Sequence, residues 1–146
     1  MKRELVNDAV AEVQQVYDDL KERPIQRSCT RKTECCQFKL TGRSPYLTKG
    51  EALLAAKAFR ATGRKSFQEQ ADGVCPMLNR TNWSCLIYDA RPFGCRTHFC
   101  AAAGGPYARK EVVDLIRRLE DVDVVLGGSG SRPLGNALND ALRELR

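Results

Sequence analysis

Seven cysteines, Cys29, Cys35, Cys36, Cys75, Cys85, Cys95 and Cys100, lie within the middle of a 146-residue chain, and its one histidine, His98, sits between the last two. That is a soft donor set, with ligand softness suited to zinc, copper(I) or iron–sulfur chemistry and unsuited to magnesium or calcium. Two residues separate Cys95 from His98, so both side chains can reach one ion. Cys35 and Cys36 are adjacent, and their diverging side chains serve either two ions or one ion and its surroundings. Eight candidates would complete two tetrahedral zinc sites, one of four cysteines and one of three cysteines with the histidine. Four thiolates would equally hold one iron–sulfur cluster and leave three cysteines over. No Cys-x-x-Cys pair is present, which removes the ordinary redox dithiol and the paired knuckles of zinc ribbons. A single histidine also removes histidine-rich sites and the two-histidine facial triad.

Disulfides are the competing use of cysteine. The count is odd, and residues 1–22 are charged, with no apolar signal-peptide core. The expectation is therefore a cytoplasmic protein whose thiols stay reduced. No run approaches 18 apolar residues, so no membrane partner is expected. The formal charge is +6, from 24 basic and 18 acidic residues. Seven thiolates and two divalent ions would bring it to about +3. The charge is thus weak support for a nucleic-acid partner.

The residues around the cysteines supply a second layer. Arg91 and Arg96 flank Cys95, where guanidinium groups balance thiolate charge and lower thiol pKa values. Asp89 is placed to pair with Arg91, and Tyr88 to donate its hydroxyl to a sulfur or carboxylate. Trp83 and Phe93 read as lids over the sulfurs rather than base-stacking platforms.

Four helices are expected to position this site. Over residues 4–21, Leu5, Val6, Ala9, Val10, Val13, Val16, Tyr17 and Leu20 form one apolar stripe that stops before Pro24. Thr48 and Glu51 form a capping box that opens a helix over 48–61, closed by Gly63. Ser66 and Glu69 can cap one further turn. A third helix spans 107–120, with Arg117 and Arg118 outward, and residues 121–126 fit either its end or a short strand. Gly127–Ser131 reads as a flexible connection, and a last amphipathic helix covers 134–145. Residues 25–47 and 74–105 read as metal-site loops, with room for one short hairpin flanking Asn79–Asn82, while Pro92 and Gly94 break regular structure. The expected fold is mainly α, a single small helical domain over 1–146 organised around a cysteine-rich metal site.

The string Cys85-Leu86-Ile87-Tyr88-Asp89-Ala90-Arg91-Pro92, followed by Cys95-Arg96, resembles the YkgJ-like CxxCxxCC cysteine-cluster family. The resemblance extends over about residues 29–100 and includes Cys29, Cys35-Cys36, Leu40-Thr41, Glu51 and Cys75-Pro76. It implies zinc or iron chelation by these cysteines and no settled reaction. In the motif's register the second cysteine falls on Lys32, so that ligand is replaced by an ammonium group: either this member binds fewer ions, or Cys100 or His98 takes the place, with Lys32 a candidate charge partner.

Three function classes follow. A small metal-binding protein with zinc or iron on cysteine comes first. An iron-dependent oxidative or metal-assisted enzyme would need an open coordination position, with Asp89, Glu51 and Tyr88 as nearby acid–base groups. An adaptor with structural zinc, binding nucleic acid or a protein partner, would need a basic face drawn from Arg27, Arg31, Lys32, Lys39, Arg43, Arg91 and Arg96.

Overall fold

The structure is a computed structural model and describes residues 2–23, 45–67, 75–79, 84–97 and 109–145. Helix α1 is Arg3–Lys21. Strand β1, Tyr46–Leu47, leads into helix α2, Lys49–Ala61. Strands β2, Leu78–Asn79, and β3, Ser84–Cys85, come next, then a 3-10 turn over Tyr88–Ala90 and helix α3, Phe93–Thr97. Helix α4 is Arg109–Val125, and strand β4, Arg132–Pro133, leads into helix α5, Leu134–Glu144. The described residues are mainly helical, as the apolar periodicity requires.

The stripe of α1 is buried through Val6, Ala9, Val13, Val16, Tyr17 and Leu20, the three- and four-residue spacing of one helical face. Helix α2 is the centre of the bundle and packs against α1, α4 and α5. Small residues permit this: Gly50, Ala52, Ala55 and Ala56 are buried beside Leu53 and Phe59. A Cβ on Gly50 would lie 2.7 Å from Val122 Cγ1 and 2.9 Å from Val13 Cγ2, so α1 and α4 close on α2 where no side chain exists. Arg118 joins α4 to α1 through Glu12 and Asp19. Arg117 is exposed, as its outward position requires.

Several expectations need correction. Of the two alternatives for residues 121–126, the structure has the helix end: α4 runs to Val125, and the Leu126 N–H still donates to the Val122 carbonyl. Gly127 then takes φ +74°, the left-handed conformation that ends a helix. The glycine-rich connection is not a free hinge. Asp123 is buried; its Oδ1 accepts the Lys49 N–H at 2.8 Å and its Oδ2 accepts the Gly130 N–H at 2.9 Å, which ties the loop to the start of α2. The end of the 25–47 loop contains β1, which pairs antiparallel with β4 in the register Tyr46↔Pro133 and Leu47↔Arg132. Pro92 does not break regular structure; it starts α3. Its carbonyl accepts the N–H groups of Cys95 and Arg96, and a residue just before a helix needs no N–H of its own. The short hairpin does form, with Leu78 opposite Cys85 and Asn79 opposite Ser84. The further turn proposed from Ser66 and Glu69 runs outside the described residues.

Candidate metal centre

The described part of the site is built on the hairpin, the 3-10 turn and α3. Cys75 precedes β2 and is buried, and its carbonyl accepts the Leu78 N–H at 3.0 Å. Cys85 ends β3 and is half-buried against the core. Cys95 lies in the middle of α3 and is also half-buried. No disulfide joins these three to one another. Met77, Leu78, Ile87, Ala90 and Phe93 are buried between and beside them, and they anchor this irregular segment to the bundle.

Two charged side chains fix the segment from inside. Arg96 is buried; its Nε donates to the Arg91 carbonyl at 2.7 Å and its Nη2 to the Asp89 carbonyl. Its guanidinium also lies 4.1 Å from the centre of the Tyr17 ring. Burial lowers the Arg96 pKa, opposed by the negative potential of Tyr17, Asp89 and Cys95. Glu51, from the first turn of α2, is 3% exposed and accepts four hydrogen bonds. Thr48 donates its N–H at 3.2 Å and its hydroxyl at 3.0 Å to Oε1. The Tyr17 hydroxyl, at 2.9 Å, and the Phe93 N–H, at 2.6 Å, donate to Oε2. Burial raises the Glu51 carboxyl above its ordinary value, with all four donors opposing the shift. Burial, with the neighbouring Glu51 charge, likewise pushes the Tyr17 phenol well above its usual range.

Arg91 turns outward from this interior. Its Nε donates to the Tyr88 carbonyl at 3.0 Å and its guanidinium stacks over the Tyr88 ring at 4.0 Å, while the Asp89 side chain is exposed. Phe93 is buried beneath the segment. Cys29, Cys35, Cys36, Lys32, Trp83, His98 and Cys100 lie outside the described residues. Among the described residues, no three Cys, His, Asp or Glu side chains stand together as a metal site. The described cysteines therefore supply donors of the right chemistry for zinc or iron, and a closed site requires donors from residues 29–36 or 98–100.

Tyr17 is the site residue that sequence reasoning did not place. Its signal is a polar tip on an otherwise aliphatic stripe, since a buried tyrosine hydroxyl needs a partner. Glu51 had two signals, the capping box and its place in the motif, yet its contact with Phe93 spans 42 positions.

Among the described residues, no helix is long and apolar enough to cross a membrane. No curated protein and no solved structure matches the chain. One family profile does: CxxCxxCC, described as a "putative zinc- or iron-chelating domain", over residues 28–115. The match begins just before Cys29, takes in all seven cysteines, His98, Glu51 and Arg96, and runs into α4. The chain belongs to the CxxCxxCC family.

Proposed function

We infer that this chain is a single-domain, cytoplasmic metal-chelating protein. It holds zinc or iron through thiolates drawn from Cys29, Cys35, Cys36, Cys75, Cys85, Cys95 and Cys100, with His98 as the nitrogen donor. The observation that carries this reading is the fixed frame of Cys75, Cys85 and Cys95. A hairpin, a turn and a one-turn helix have little stability of their own in water. Here buried apolar residues, Glu51 and Arg96 hold them in one arrangement with the thiols half-buried or buried. The segment also contributes apolar residues to the core, and a fixed frame of this kind is what a thiolate site needs from its surroundings. Bound there, zinc would supply a rigid cross-link, and iron would supply either a cluster or an open Lewis-acid position. Lys32 takes a charge-balancing place beside the thiolates in this scheme, and Arg91 a peripheral one.

The test is elemental analysis of protein purified without oxygen or added metal, read with its visible spectrum. Two colourless zinc ions, iron with sulfide absorption, or iron alone would each support chelation and name the metal. A thermal melt in excess chelator should fall relative to the untreated protein, and Cys85→Ser with Cys95→Ser should lower the metal content. Metal-free protein whose melt ignores chelator would refute the reading.

A further inference from the structure

The Glu51 carboxylate does two separable things. Its Oε1 completes the cap of α2 with Thr48, an ordinary local arrangement. Its Oε2 turns away from α2 and takes the N–H of Phe93, the first residue of α3. The first N–H groups of any helix lack intrahelical partners, and a five-residue helix cannot hold itself together. Glu51 is thus the cap of a helix that belongs to the cysteine segment, supplied from the helical core. Cys95 follows two residues later, and its own N–H is bonded to the Pro92 carbonyl. Arg96 fixes the other approach, by binding the carbonyls of Asp89 and Arg91 in the turn that leads back towards Cys85. Tyr17 joins the two anchors: its hydroxyl donates to the same Oε2, and its ring lies under the Arg96 guanidinium.

Burying a carboxylate is costly, and capping α2 alone would not require it. The arrangement has a stricter demand, because two donors from different elements converge on one oxygen. A glutamine side chain offers one acceptor oxygen, and its NH2 group would confront donors at the other position. We propose that Glu51 is a positioning residue for the metal centre: through Phe93 it sets the orientation of α3 and hence where the Cys95 sulfur meets the ion. This rests on the chelation reading above, and groups that orient a ligand from behind typically change metal affinity by about 10- to 100-fold.

The test compares wild type, Glu51→Gln, Tyr17→Phe and Thr48→Val, all reduced. Affinity for zinc, cobalt(II) and, without oxygen, iron(II) is measured by chelator competition, beside the thiolate-to-cobalt absorption band and the melting temperature of the metal-free form. Glu51→Gln should bind at least about 10-fold more weakly and shift the cobalt band. Tyr17→Phe, which leaves the Phe93 contact, should move both in the same direction by less. Thr48→Val removes one donor to Oε1 but leaves both Oε2 contacts, so it should lower the melt while leaving affinity within about twofold. Should Glu51→Gln not fold, Tyr17→Phe decides: an unchanged affinity and band would overturn the proposal. Equal losses in Thr48→Val and Glu51→Gln would also overturn it, since stability alone would then set affinity. Wild type that binds none of the three ions would remove both the proposal and the chelation reading. Wild type that binds them while Glu51→Gln binds as tightly with the same band would remove only the proposal.

Discussion

Replacing Arg96 with lysine separates charge from geometry. Lysine keeps the positive charge beside Cys95 but replaces a planar fork of donors with a single ammonium. In the native structure the fork reaches two carbonyls, those of Arg91 and Asp89, and the guanidinium plane lies 4.1 Å from the Tyr17 ring centre. A hydrogen bond from a charged donor contributes about 1.5–3 kcal/mol, and a part-buried carbonyl that loses it recovers some of that from water. The stacking adds about 0.5–2 kcal/mol where the cation is desolvated, and Arg96 is 5% exposed. Lysine can keep one carbonyl and part of the ring contact. The expected loss for Arg96→Lys is therefore about 2–4 kcal/mol, and Arg96→Met should lose more because both carbonyls are orphaned. The measurement is urea unfolding followed by far-UV circular dichroism on reduced, metal-free protein, so that metal affinity does not enter. A loss under about 1 kcal/mol, the scale of an exposed ion pair, would refute the reasoning. It would mean either that Arg96 acts only as a counter-charge or that the segment it holds is not folded without metal.

Two further outcomes follow from the core. Gly50→Ala should destabilise by up to about 2 kcal/mol, because overpacking against Val13 and Val122 costs about 1–3 kcal/mol and the helix propensity of alanine returns about 1 kcal/mol; a melt above wild type would show that α1 and α4 can yield there. Glu51 gives a pH dependence. Its carboxyl is raised above 4.5, so the folded chain retains a proton that the unfolded chain releases. Stability from this group is complete below the ordinary glutamate value and is lost as pH rises through the folded value. Wild type should therefore lose stability relative to Glu51→Gln as pH increases from about 4.5, and a difference that is constant with pH would contradict it. Asp19, Asp114 and Asp140 shift the opposite way beside Arg118, Arg23 and Arg132, and they cancel because both proteins contain them.

Four helices were legible because each carries an apolar stripe of 3.6-residue period over at least three turns. What escaped is shorter or depends on distant partners. A two-residue strand has no period, so the β1–β4 pair leaves no trace in composition. Helix α3 contains a glycine and follows a proline, and its first N–H is taken by a carboxylate 42 positions upstream. The run Gly127–Ser131 has the composition of a linker, yet the single buried Asp123 ties it to α2. Within the candidate site, Cys75, Cys85, Cys95, Arg91 and Arg96 were all readable from the motif string. Their division of labour was not. Both arginines flank Cys95 in sequence, but helix geometry sends Arg96 inward onto Tyr17 and leaves Arg91 stacked on Tyr88.

That division alters what a metal is needed for. Sequence composition suggests that an irregular cysteine segment depends on the ion for its order. Yet Met77, Ile87 and Phe93 are buried in the bundle, and Glu51 and Arg96 pair the backbone groups that α3 and the turn would otherwise leave open. These contacts with α1 and α2 restrict the conformational freedom of residues 84–97. If the proposed chelation holds, an ion bound through Cys85 and Cys95 would meet a segment already anchored, and less of its binding free energy would be consumed in ordering the chain. The cysteines then need not be close in sequence to form a tight site. Under the chelation reading, pre-organisation by the helical core can do in this chain what a Cys-x-x-Cys knuckle does in a ribbon, with Glu51, Tyr17 and Arg96 as the groups that supply it.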